Sequence, residues 1–163
     1  MTKAERVERA RAAKRGRDWI DFASTLACYL RADAMRDYLD RIVAEYSLAD
    51  RLLEHRWVGA SAMFYASICP LIEAWETTLR PSSNRIEPRV DAILTSPLRN
   101  VVFDFRNSVL HFARYNDKRV IELLSHNMDV DAWARQFHAA IGDHLNTWRD
   151  ELVADGNRTA KLS

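Results

Sequence analysis

With 163 residues the chain is most simply one domain, long enough to bury a core without disulfide or metal staples. Apolar residues make up 48% and charged residues 29%, the balance of a globular protein, and a net charge of +1 is no evidence for a nucleic-acid partner. Four Gly, four Pro and the absence of long β-branched runs favour an all-α chain.

Charge is less even at the start. Residues 1–18 hold Lys3, Arg6, Arg9, Arg11, Lys14, Arg15 and Arg17 against Glu5, Glu8 and Asp18. This basic N-terminal arm or helix either faces water or attracts phosphate backbones non-specifically. No short apolar region with a cleavage site follows, so a signal peptide is not expected.

Over residues 19–46, Trp19, Phe22, Leu26, Leu30, Ala34, Tyr38, Ile42 and Tyr46 recur at helical steps. They predict one long amphipathic helix with Asp33, Arg36, Asp37, Asp40 and Arg41 on its wet side. Residues 47–54 read as a break. Residues 55–79 form a second long helix, apolar nearly all round and hence central, which Pro70 should kink. Its uncharged run over residues 57–72 is 16 residues long and contains Pro70. A bilayer span needs roughly 20, so no membrane association is expected. Cys28 and Cys69 lie far apart in apolar helical patterns and read as reduced core residues of a cytoplasmic protein.

Pro81, Pro88 and Pro97, with Ser82, Ser83 and Asn84, mark residues 80–97 as a linker holding a short helix over 89–94. Ser96-Pro97 then supplies a cap and a first-turn proline for the next helix, which ends near residues 115–117. A short helix over 118–124 leads to the last long one, over 129–154. There Val130, Trp133, Phe137, Ile141, Leu145, Trp148 and Leu152 form the buried stripe, and Gly156 ends it. The expected architecture is a compact helical bundle of three to four long helices plus short accessory helices. Its domain covers 19–155, preceded by the 1–18 arm and followed by a flexible tail over 156–163.

The helix beginning after Pro97 carries the chemistry. At 100° per residue, Asn100, Asp104, Asn107 and His111 fall within roughly 60° of one another, flanked by Ser108, Arg114 and Tyr115. Leu98, Val101, Val102, Phe105, Val109, Phe112 and Ala113 fill the other side. A stripe facing water usually carries Glu, Lys and Gln; short Asn, Asp, Ser and His suit a wall of fixed hydrogen-bonding groups. Residues 98–104 and 105–111 also echo one another, each with an Arg-Asn pair, but only the second pair is followed by His. Arg106 lies off the stripe, roughly 140° from His111, with Phe103 and Leu110 on the boundary between. A symmetric dimer through this helix would bring Arg106 of one protomer near His111 of its partner.

Arg106-Asn107-Ser108-Val109-Leu110-His111 resembles the Arg-x(4–6)-His motif of the HEPN superfamily. Arg119 and His126 match the same spacing. Only the first match has Asn after its Arg, lies within a strong helix and adjoins the polar stripe. The resemblance implies an α-helical bundle that dimerises so that two motifs line one cleft. It implies a metal-independent endoribonuclease of a toxin–antitoxin, phage-defence or RNA-processing system. Its partners would be RNA and an antitoxin protein, and no cofactor is implied.

The residue types fit that chemistry. The 2′-hydroxyl of RNA attacks the adjacent phosphate, and the P–O5′ bond breaks. His111 moves the protons, since imidazole titrates near neutrality. Arg106 stabilises the charge on the phosphoryl oxygens with its planar fork. Asn107 orients the imidazole or holds a phosphate oxygen. By the resemblance, the products carry 2′,3′-cyclic phosphate and 5′-hydroxyl ends. An alternative for the same fold is a non-catalytic module binding a nucleotide, nucleic acid or a protein partner. A third is a purely structural bundle.

Other features are weaker. Glu73 either pairs with Arg106, orients His111, or simply ends a helix in water. His138 and His144 are six apart and point to different faces, so no metal pair is expected. His55 and His126 sit near predicted turns, and the five Trp read mainly as core. No phosphate-cradling Gly loop, nucleophile elbow or dinucleotide fingerprint is present.

Overall fold

A computed structural model describes residues 2–45, 51–80, 87–110 and 127–160, and among these residues there is no strand. The first helix, α1, spans Lys3–Ala44, 42 residues in one piece. The basic segment is thus continuous with the helix expected after it. Its start is fixed by a reciprocal cap: Thr2 Oγ1 accepts from the Glu5 amide at 3.2 Å, and Glu5 Oε2 accepts from the Thr2 amide at 2.6 Å.

Helix α2 spans Arg51–Ala74 and passes through Pro70. Beyond it, Trp75–Leu79 form a π-helical turn. The wider turn keeps Trp75 and Leu79, four apart, both buried. Helix α3 is the short Pro88–Leu94, close to the expected 89–94. Helix α4 covers Leu98–Leu110 and starts as the sequence predicts, with the Leu98 amide donating to Ser96 Oγ at 3.3 Å. Helix α5 spans Asn127–Ala160. It runs through Gly156, which does not end it, because a glycine near a helix terminus costs only about 1 kcal/mol. The accessory helix expected over 118–124 lies outside the described residues.

Side-chain pairs fix the directions. On α1 and α5, Phe22 meets Trp148, Arg36 meets His138 and Asp40 meets Arg135, so the two run antiparallel. On α2 and α4, Tyr65 meets Phe105, Cys69 meets Val102 and Glu76 meets Arg99, again antiparallel. Helix α2 is central. It packs on α1, α4 and α5, and contributes Phe64, Tyr65, Ile68, Leu71 and Ile72 to the core, followed by Trp75 of the π-helical turn. All seven predicted stripe residues of α5 are buried. Two indoles pin α3: Trp75 Nε1 donates to Asp91 Oδ1 at 3.1 Å, and Trp133 Nε1 donates to the Ile93 carbonyl at 2.9 Å. No helix among the described residues is long and apolar enough to cross a membrane.

The stripe predicted for α1 is buried at Phe22 and Ile42 and half-buried at Leu26, and its other described members face out. Leu30 is 55% exposed, and Ala34 and Tyr38 also face out, as does Trp19 at 43%. The buried series is Phe22, Thr25, Ala32, Leu39 and Ile42. Repeated four-residue steps drift by about 40° each around an α-helix, whereas alternating threes and fours stay on one face. Among the Trp residues, Trp75, Trp133 and Trp148 are core, Trp57 is half-buried, and Trp19 departs from the expectation.

Candidate functional site

The motif helix presents Arg106 to α2. Arg106 Nη1 donates to Glu73 Oε1 at 2.7 Å, and Nη2 reaches Asn107 Oδ1 at 3.5 Å. Two turns earlier, Arg99 binds Glu76 through Nε at 3.0 Å and Nη2 at 2.8 Å, and its Nη1 donates to Asn100 Oδ1 at 3.1 Å. Phe103 lies between the two cations, with each guanidinium carbon 4.9 Å from its ring centroid.

The seven-residue echo therefore has a structural meaning. Seven residues are close to two turns, so Arg99 and Arg106 share one face of α4. Glu76 and Glu73, three apart, meet them in antiparallel order from the neighbouring chain segment. Of the open roles for Glu73, the structure shows the pair with Arg106.

That pair holds a cation in place. The Arg106 side chain is 23% exposed, and its Nε is buried with no hydrogen-bond partner. The hydrogen bond to Glu73, ahead of the opposing effect of burial, raises the Arg106 pKa, so the charge is permanent. Beneath it Cys69 donates weakly to the Tyr65 carbonyl at 3.6 Å. Burial pushes the Cys69 thiol up to about 12, which leaves it an inert core group and no nucleophile.

The remaining predicted residues divide. Asn100 and Asp104 are exposed and Asn107 is half-buried, so the described part of the polar stripe borders solvent. Ser108 lies within α4, though its side chain is outside the described residues, as are His111, Arg114 and Tyr115. Arg106 points toward α2, while Asn100 and Asp104 lie on the open side. Arg106 thus lies off the described part of the stripe, while its separation from His111 lies outside the described residues.

Sequence reasoning missed a second polar constellation, between α1 and α5. His138 is buried and stacks on Tyr29, with centroids 4.3 Å apart and planes 8° from parallel. Arg36 Nη1 lies 3.3 Å from His138 Nδ1. Arginine only donates, so Nδ1 accepts and the neutral ring carries its proton on Nε2, 3.8 Å from Asp33 Oδ1. Burial, and secondarily the Arg36 charge, holds the imidazole below its ordinary pKa. Arg36 also pairs with Asp33 at 2.8 Å and Asp37 at 3.0 Å. One turn along α5, Arg135 bridges Asp131 at 2.7 Å and Asp40 at 2.6 Å.

This seam is structural in character, because its only imidazole is shut away from solvent. The signal for it was available. Arg36 sits three residues before buried Leu39 and four after buried Ala32, and Asp33 lies one turn before Arg36, but the drifting stripe places both on the wet side. His144 is likewise buried, edge-on to Trp75 at 5.1 Å. Among the described residues no group of three or more His, Cys, Asp or Glu is gathered to hold a metal ion.

The fold and its polar groups define an all-helical bundle with a clamped arginine on its motif helix. No family model, curated protein or solved structure matches the chain.

Proposed function

We propose that this protein is a metal-independent endoribonuclease of HEPN type, acting in a toxin or phage-defence setting. The observation that supports this reading is the Arg106–Glu73 clamp. A guanidinium seated on Phe103 and held by a carboxylate is pre-oriented, so little reorganisation is needed to receive a phosphoryl oxygen. Asn107 touches that guanidinium and, one turn from His111 in sequence, links the cation to the proposed acid–base group. His111 takes the proton of the attacking 2′-hydroxyl and returns one to the departing 5′-oxygen. Because Arg106 faces away from the polar stripe, the complete site combines motifs from two protomers of a homodimer.

One observation favours the second reading, a non-catalytic module. The charge of Arg106 is already matched within its own protomer by Glu73.

Incubating the protein with mixed RNA in EDTA separates the two. Cleavage that survives EDTA and is lost in both His111→Ala and Arg106→Ala supports the enzyme, with 2′,3′-cyclic phosphate ends as its signature. Binding without cleavage supports the module. Neither activity, from a monomer in solution, rejects the ribonuclease.

A further inference from the structure

The basic segment that opens the chain is the first stretch of α1, and among the described residues none of its side chains from Lys3 to Lys14 enters the core. From Lys3 to Lys14, every residue whose side chain is described is exposed. The first α1 side chain in the core is Phe22, against Trp148, so the helix continues for about five turns beyond that contact. Seven cations and two carboxylates lie over residues 3–17.

Their placement is not uniform. At 100° per residue, Lys3, Arg6, Lys14 and Arg17 fall within about 80° of one another, over a length of about 21 Å. Ala10 and Ala13 lie along the same strip and leave room for the long side chains. Glu5 and Glu8 lie on the opposite side. Lys14 pairs with Asp18 at 2.8 Å, yet 67% of its side chain stays exposed. Like charges three residues apart oppose helix formation; Asp18 meets Lys14 and Asp21 follows Arg17 by one turn, but among the described residues no other helix offers a carboxylate to this strip. A polyanion laid along it would neutralise it.

We infer that the α1 arm is a docking strip for the phosphate backbone of single-stranded nucleic acid. The choice of RNA rests on the ribonuclease reading, but the phosphate contact does not. A membrane is disfavoured, since the exposed apolar side chains Val7, Trp19 and Ile20 point at least about 100° apart around the helix, and interfacial helices need one apolar face. A second copy of the arm is excluded by like charge. The arm supplies affinity and register along the strand, remote from the clamped Arg106.

The test compares the protein with a Lys3→Gln, Arg6→Gln, Lys14→Gln, Arg17→Gln variant. Binding of a fluorescein-labelled 20-nucleotide RNA, and of DNA of the same sequence, is followed by anisotropy from about 50 to 300 mM salt. DNA lacks the 2′-hydroxyl, so its binding reads the arm whether or not the protein cleaves RNA. The variant should bind both at least about tenfold more weakly at low salt. Its log–log salt slope should fall by about three, from four phosphate contacts at about 0.7 each. Circular dichroism should show the bundle intact. An unchanged slope overturns the proposal. So does an equal loss per charge from Arg31→Gln and Arg56→Gln, both exposed on the bundle. Arm-dependent sedimentation with phosphatidylserine vesicles, without nucleic-acid binding, also overturns it. Arm-dependent binding with no RNA cleavage leaves the strip standing and removes the ribonuclease.

Discussion

Arg106 donates from Nη1 to Glu73 Oε1 at 2.7 Å, across the faces on which α4 and α2 pack. The pair is half in solvent, with Glu73 51% exposed, so its worth to stability is small. A double-mutant cycle with Arg106→Ala and Glu73→Ala should give a coupling of about 0.5–1 kcal/mol by urea denaturation. Arg106→Lys should keep the fold and, on the proposed ribonuclease reading, lose RNA cleavage, because an ammonium cannot hold Glu73 and a phosphate together as a guanidinium fork would. Full activity in the lysine variant would show that a charge at this position suffices and the fork is not used.

His138 makes stability depend on pH in a definite direction. Its folded pKa lies below the unfolded value of about 6.5, because burial and Arg36 oppose its charge. Above that value the ring is neutral in both states and its contribution is complete. As pH falls below it, the unfolded chain takes up a proton that the folded one refuses, and stability drops until the folded ring also titrates. The urea midpoint should therefore fall between pH 7.5 and 5, and fall less in His138→Phe.

Gly142 is required by Tyr29. A Cβ on Gly142 would come within 2.6 Å of the tyrosine oxygen and 3.1 Å of Cζ, and the ring cannot retreat without leaving its stack on His138. Gly142→Ala should cost about 1–2 kcal/mol from overpacking, despite the better helix propensity of alanine. In a Tyr29→Ala background the same substitution should instead stabilise by about 0.5–1 kcal/mol. The same sign in both backgrounds would refute the steric argument.

Asp91 accepts from the indole of Trp75, a fully buried side chain. Asp91→Ala leaves that N–H without an acceptor and should cost about 1–3 kcal/mol. Asp91→Asn retains an amide oxygen at the same place and should cost less than half as much. Thermal denaturation of the two variants distinguishes hydrogen bonding from charge.

The α5 stripe was legible because its period stayed near 3.6 residues for more than twenty residues, and every predicted member is buried. The cap at Ser96 and the short α3 were legible because proline and serine act locally. On α1 the apolar residues are abundant enough to permit two stripes, and the sequence does not say which one a neighbour will cover. Helices α2 and α5 together cover the face with Phe22, Thr25, Ala32 and Leu39, and Asp33 and Arg36 meet His138 of α5. The Arg-Asn echo was visible as a pattern, but its carboxylate partners are 23 and 33 residues away in sequence.

Sequence alone determined the helical class, most helix starts, the central place of α2 and the residues worth testing. These follow from local propensity and periodicity, which act over one or two turns. The tertiary structure decided which face of α1 is buried, which carboxylate holds Arg106, and that His138 is buried at the inner edge of a polar seam. Those outcomes depend on pairing between helices distant in the chain, where burial and charge are settled by the neighbour and not by the residue itself.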